Sequence, residues 1–313
     1  MRPRDQTVAQ EIEDKLQRFH NNQHPLPGIQ SLPYRQSFIE QVVESIRRIQ
    51  FVSVIRQRKL NAHRADPTSA LFDPIRAAVL CHIDGQIDEA FWLVFLSVHF
   101  GKHKSDGWRL AQDIYGGMPE NIPWDWERVS SSPNGFRQWL DGLQDILRND
   151  GVSRRFGNHR KYESLSGSAA TGTGAVVESY VNWINTYGSH EGLINNTKQQ
   201  VGNNPRDMFD HLFRSMAMVV RFGRTGKFDY LTMVGKLGLA PIEPGSTYMQ
   251  GATGPLMGAR LLFGGSTTAR LARAELDGLL VQLEAELQVG MQVLEDALCN
   301  WQKSPEEFRP YRG

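Results

Sequence analysis

The stretch RRFGNHRKYESL, residues 154–165, gathers Arg154, Arg155, Arg160, Lys161 and His159 around Gly157, with one acid, Glu163, among them. That density of positive charge suits a clamp on a polyanion, with the acid kept for chemistry. A solvated basic turn is the competing reading. As a clamp, Arg154, Arg155, Arg160 and Lys161 would neutralise phosphates, and each neutralised phosphate steepens the salt dependence of binding. Asn158 and His159 could then reach a base edge, and Tyr162 could stack on an unpaired base.

A second block, RFGRTGKFDYLTMVGKL (221–237), sets Gly223 and Gly226 before an apolar-periodic run through Phe228, Leu231, Val234 and Leu237. Thr225 is expected to cap the helix. The amides of Gly226 and Lys227, beside Arg224, would then point outward at its start and hold one phosphate. Asp229, in the first turn, either complements the helix dipole or does chemistry.

Two further blocks are less pointed. In IRQRKLNAHRADP (55–67), Arg56 and Lys59 are spaced to share a helix face, with Arg58 between them. They serve either as a cationic patch or as a solvated helix end. In IEPGSTYMQGATGPLMGARLLFGG (242–265), glycines including Gly254 permit close backbone approach, and Pro255 leads into a helix through Leu256, Ala259 and Leu262. A tight connection between helices explains the same residues. His99 and His103 are four apart, but Gly101 lies between them and no cysteine joins them, so they read as structural rather than as metal ligands. SGSAATGTGA (166–175) lacks the Lys of a P-loop and reads as a flexible loop.

The elements that must position these residues read as helices. SFIEQVVESIRRIQFVSVIRQRKL (37–60) repeats apolar residues at three and four, with Ser37 as its cap. Asp88 precedes an apolar helix over 89–100. Further helices are expected at 107–115, 134–149, 174–187 and 206–222, and one long helix from 266 to 303 carries a stripe from Leu276 to Trp301 that packs on the chain's own core, with a dimer seam as the alternative. No period-two strands or repeats appear. The fold class is all-α, divided as a leading helix and linker (1–36), a helical domain (37–265) and the C-terminal helix (266–313).

Composition bounds the rest. The chain has 313 residues, 40% of them apolar, and a net charge of +1. It is long enough for a sizeable core, and its charge must be read locally, because a near-neutral protein binds nucleic acid if its cations share a face. No apolar run approaches the roughly 20 residues of a membrane span. The N-terminus has no signal-like apolar stretch, and Cys81 and Cys299 make no disulfide framework. A cytoplasmic protein is expected.

The blocks FGRTGKFDYLTMVGKL, YMQGATGPLMGARLLFGG, FGNHRKYESL and RQRKLNAHRADP…FDPIRAA, in their order along 38–265, resemble clade 3 of the α-glutamyl/putrescinyl thymine pyrophosphorylases, relatives of the helix-hairpin-helix DNA glycosylases. The resemblance implies an all-α, glycosylase-like fold. It also implies a partner, double-stranded DNA carrying hypermodified pyrimidines of the phage type; from the residues themselves no cofactor or metal is expected. Two activities are implied. One is excision of a base such as glucosylated 5-hydroxymethylcytosine, as defence against phage. The other is displacement of pyrophosphate from a modified uracil by an amine. A protein that only binds modified DNA is the non-enzymatic alternative.

Ordinary glycosylases of this kind carry an aspartate about twenty residues after the hairpin, yet 245–260 holds no carboxylate. The acid is therefore sought elsewhere: Asp229 first, Glu163 second, with Lys227 as an amine nucleophile in third place. Base contacts are expected from Asn158, His159, Arg160, Tyr162, Phe228 and Tyr230. Backbone contacts are expected from Arg56, Arg58, Arg154, Arg155, Lys161, Arg224, Gly226 and Gly254.

Overall fold

A computed structural model describes residues 3–310. Its helices are, in order, α1 (Pro3–Asn22), α2 (Leu32–Ile55), α3 (Pro74–Ile83), α4 (Ile87–Phe100), α5 (Arg109–Tyr115), α6 (Trp126–Ser131), α7 (Pro133–Gly142), α8 (Gln144–Asn149), α9 (Thr173–Asn185), α10 (His190–Val201), α11 (Pro205–Ser215), α12 (Arg224–Leu237), α13 (Gly254–Gly264), α14 (Arg273–Leu287) and α15 (Met291–Trp301). Among the described residues there is no β-sheet, only an isolated bridge between His103 and Gly107. The fold is all-α.

Local chemistry explains many boundaries. Asp73, Asp125, Ser189 and Asn204 each cap a helix by accepting a backbone N–H from its first turn. Pro74 and Pro205 then occupy first-turn positions where the missing N–H costs nothing.

Several expected boundaries are corrected. α2 starts at Leu32, so Ser37 lies inside it; its buried hydroxyl donates to the Ser304 carbonyl instead of capping. The same helix stops at Ile55, which puts Arg56 and Lys59 beyond its end and removes their shared face. The segment 134–149 is two helices, α7 and α8, and 206–222 ends early, in a turn at Met216–Met218. The long C-terminal helix is also two. Gln288 and Gly290 turn left-handed at φ 56° and 93°, ending α14 and launching α15. The leucine stripe continues across this break, since Leu276, Leu280, Leu283, Leu287, Leu294, Leu298 and Trp301 are all buried.

The described residues form two compact units, 3–54 with 244–310, and 55–243. The boundaries expected near 36 and 265 both fall inside the first. That unit buries Phe38, Val42, Leu262, Leu280, Leu298 and Trp301 in one core, with the Phe38 and Trp301 rings 4.9 Å apart.

The second unit is built around α4. This helix is apolar on every side and packs against α3, α5, α6, α10 and α12. Each large ring it buries, such as Phe91, Trp92 or Phe95, contributes roughly 1.5–3 kcal/mol. It is the fixed frame on which the remaining residues of interest are hung.

Candidate active site

The basic segment crosses the C-terminal end of α4. Gly157 donates its N–H to the Phe100 carbonyl at 2.7 Å and lies against Gly101. A Cβ on Gly157 would come within 2.8 Å of the Gly101 backbone, so the contact requires glycine. A single turn, Asn158–Arg160, then points Arg160 inward, where it is only 7% exposed.

Arg160 Nε donates to the Val98 carbonyl (3.1 Å) in the last turn of α4, and its guanidinium lies 4.8 Å from the centre of the Phe222 ring. Nη2 has no hydrogen-bond partner among the described residues and presses against Gly226 of α12, where a Cβ would be 2.4 Å away. Arg160 therefore sits between the C-terminal end of one helix, which favours a cation, and the N-terminal end of another, which favours an anion. Burial draws its pKa below the ordinary value, against the attraction of Asp229 and Glu163.

α12 begins two residues earlier than expected, which puts Asp229 beyond its first turn. Gly223 is its N-cap and Thr225 lies inside the first turn, so Thr225 does not cap. The first helical bond runs from Lys227 N–H to Gly223 O. Just upstream, Arg221 takes φ 61°, a left-handed conformation uncommon for a side chain of this size. From there its Nε and Nη2 reach the two Glu163 oxygens at 3.2 and 3.4 Å, and Arg160 Nη1 is 4.0 Å from the same carboxylate. Lys227 Nζ lies 4.2 Å from the centre of the Phe213 ring, and burial lowers its pKa. Four cations (Arg160, Arg221, Arg224, Lys227) thus accompany two carboxylates (Glu163, Asp229) at a helix start that itself prefers negative charge. The chemistry this favours is anion binding beside an acid.

Other expected site residues lie differently. Arg154 has a side chain only 5% exposed, engaged by Asp113 at 2.5 Å and Asp150 at 2.6 Å. Arg155 binds both oxygens of Asp106 at 2.9 Å. The hydrogen bonds from Arg155 and Arg154 hold the Asp106 and Asp150 carboxyls down at about 2. Neither arginine presents the uncompensated charge that a phosphate clamp would need of them. Lys161 and His159 are exposed, and Tyr162 is 80% exposed with Lys161 Nζ 4.9 Å from its ring centre. The Asn158 side chain lies outside the described residues.

Phe228 and Tyr230 are each 1% exposed. A ring enclosed in the core offers no face to a base, and of the three aromatics expected to stack only Tyr162 is exposed. Arg56 reaches the Lys236 carbonyl at the C-terminal end of α12 (3.4 Å), and Arg58 is exposed nearby in sequence. Gly254 belongs to the first unit, where a Cβ would meet the Cys299 sulfur at 2.8 Å; its smallness serves helix packing. His99 is buried against Thr173 Oγ1 (3.0 Å), while His103 Nδ1 accepts the amides of Ser105 and Asp106.

Sequence reasoning passed over Arg221 and Phe222, although both stand in a block it singled out. What marks them is a backbone angle and a ring contact, neither of which has a local signature. It also missed a buried chain of hydrogen bonds from Asp88 through His190 and Tyr180 to Tyr230, whose members are scattered over 142 positions (88 to 230).

No curated protein and no solved structure matches the chain. A family model does, over nearly all of it: the model for the alpha-glutamyl/putrescinyl thymine pyrophosphorylase clade 3 family matches residues 34–313, and the chain belongs to that family, whose members process modified bases in DNA.

Proposed function

We propose that the chain is a DNA glycosylase that excises a hypermodified pyrimidine, of the glucosylated 5-hydroxymethylcytosine type, from phage DNA and leaves an abasic site. The observation that carries this reading is the meeting of two distant cationic segments: the Arg221–Glu163 pair and the Arg160–Gly226 contact bring 160–163 against the start of α12.

The target base must leave the duplex, at a cost of a few kcal/mol. The first amides of α12, with Arg224 and Lys161, hold the backbone, and Tyr162 stacks on the extruded base or fills its gap. His159 contacts the base, and Arg160 shapes the site from within. As the bond from C1′ to the base nitrogen breaks, its electron pair leaves with the base and positive charge develops on the sugar. Asp229 stabilises that charge and orients a water whose oxygen bonds to C1′, while the water's proton passes by way of the carboxylate to the departing base. Asp229 comes first because α12 carries it close behind the amides that hold the phosphate, and Glu163 second because it is the acid within the basic segment. Lys227 as a nucleophile would instead give a Schiff base that borohydride traps.

The test is mass analysis of products after incubation with duplexes carrying glucosylated hydroxymethylcytosine, hydroxymethylcytosine or cytosine. Free modified base and abasic sites are expected, with turnover falling about 100- to 1,000-fold in Asp229→Asn. The family's name favours a second reading, in which an amine replaces pyrophosphate and the base stays in the strand. The same spectra would show that as a mass change within intact DNA. Salt-sensitive binding with neither product would leave a binding protein.

A further inference from the structure

We infer that Asp88, His190, Tyr180 and Tyr230 form a positioning chain that holds the first turns of α12 in register with α4, α9 and α10. Each residue lies on a different one of these helices. The link to catalysis, through Asp229, rests on the function proposed above; the mechanical claim does not.

The proton positions follow from the geometry. Asp88 Oδ1 accepts both the backbone N–H of His190 at 2.8 Å and its ring Nδ1–H at 2.6 Å. A carboxylate only accepts, so Nδ1 carries the ring proton. Nε2 is then an acceptor, and the Tyr180 hydroxyl donates to it at 2.7 Å. With its own proton committed, the Tyr180 oxygen accepts from the Tyr230 hydroxyl at 2.9 Å. The bonds therefore all run one way, from Tyr230 to Asp88.

The surroundings fix this arrangement. Burial keeps the His190 pKa below its ordinary value despite Asp88; burial also acts to raise the Asp88 pKa, but its bonds to His190 outweigh this and hold it low. Phe91 stacks on the imidazole at 4.7 Å and Trp126 meets it edge-on at 4.6 Å, so the ring cannot turn. Phe95 stacks on Tyr180 at 3.8 Å. His190, Tyr180 and Tyr230 are all buried, and a missing link would leave polar groups unpaired in an apolar interior.

Tyr230 directly follows Asp229, and it lies about one turn beyond the Gly226 that Arg160 touches. The same aromatic wall continues from Tyr180 through Phe95 to Phe222, at 3.8 and 4.9 Å, and Phe222 underlies Arg160. Chain and wall together tie both halves of the candidate site to the fixed helix α4.

The test is amide hydrogen exchange, read by mass spectrometry on the full chain. In Tyr180→Phe, exchange over 224–232 should quicken about tenfold while 133–142 in α7 is unchanged. Tyr230→Phe should do the same, and the double variant should be no faster than Tyr180→Phe alone, because the two hydroxyls share one interaction. Unchanged exchange over 224–232, equal quickening in α7, or additive effects would each overturn the inference. If wild type releases base, both variants should lower kcat about tenfold with KM within about twofold; an unchanged kcat overturns the tie to the acid. If wild type releases none, the proposed function falls and the exchange result still decides the chain.

Discussion

Arg160 holds an unusual electrostatic position. Its Nε bond to Val98 suits a helix C-terminus, while its Nη2 faces a helix N-terminus with no partner among the described residues. Lys161, next in sequence, is exposed, so the two cations divide into an inner group that shapes the site and an outer one able to meet phosphate. The outer role gives a measurable prediction. Lys161→Ala should reduce the slope of log affinity against log salt by about 0.9 on duplex DNA. The charge-neutral double variant Arg155→Gln/Asp106→Asn should leave that slope unchanged; an equal loss would mean that Arg155 abandons Asp106 for phosphate. This contrast also marks what was legible at the residue scale. The basic block at 154–161 stood out as charge. That Arg154 and Arg155 are neutralised was hidden, because Asp113 and Asp106 are 41 and 49 positions away.

At the scale of elements, α4 does most of the positioning, and it was the easiest helix to read, from the largely apolar stretch AFWLVFLSVHF at 90–100. α3 and α10 were missed. α3 hides behind the breaker-rich 61–74, and the sequence of α10, HEGLINNTKQQV, has few apolar residues to show a period. The break at 288–290 was invisible because the apolar stripe runs through it. α4 also carries a group that couples stability to pH. Burial, reinforced by repulsion from Arg160, pulls the His99 pKa from the ordinary 6.5 to about 3. Below pH 6.5 the unfolded chain therefore binds a proton that the folded chain refuses. The stabilisation is present in full above 6.5 and is lost as pH falls toward 3, by about 1.4 kcal/mol per pH unit where the two states differ by a whole proton. His99→Gln retains an amide that can donate to Thr173, so its unfolding free energy should fall less steeply, by about that amount per unit between about pH 4 and 6. Urea titrations at stepped pH would check this. Glu89, which burial raises to about 7, has the opposite sign but is common to both chains and cancels in the difference.

The whole molecule is discontinuous in a way no local pattern announces. Residues 3–54 share a core with 244–310, while 55–243 form their own unit. The apolar face of α2 was visible as a face, but a periodic stripe says only that something covers it, not that the cover lies some 250 residues later. Removing that cover leaves Phe38, Ile39, Val42 and Val43 exposed on α2, each forfeiting roughly 1.5–3 kcal/mol of burial. Most of a helix's stability in a protein comes from packing its apolar face rather than from intrinsic propensity. A fragment of residues 1–54 should therefore give weak far-UV helicity and a broad, non-cooperative melt. A fragment of 55–243 retains α4 with the helices packed on it, α3, α5, α6, α10 and α12, and the buried hydrogen-bond chain. It should melt in one cooperative transition, with the chemical environment of His190 unchanged by NMR. A cooperative melt from 1–54, or none from 55–243, would show that the two sets of contacts do not correspond to separable folding units.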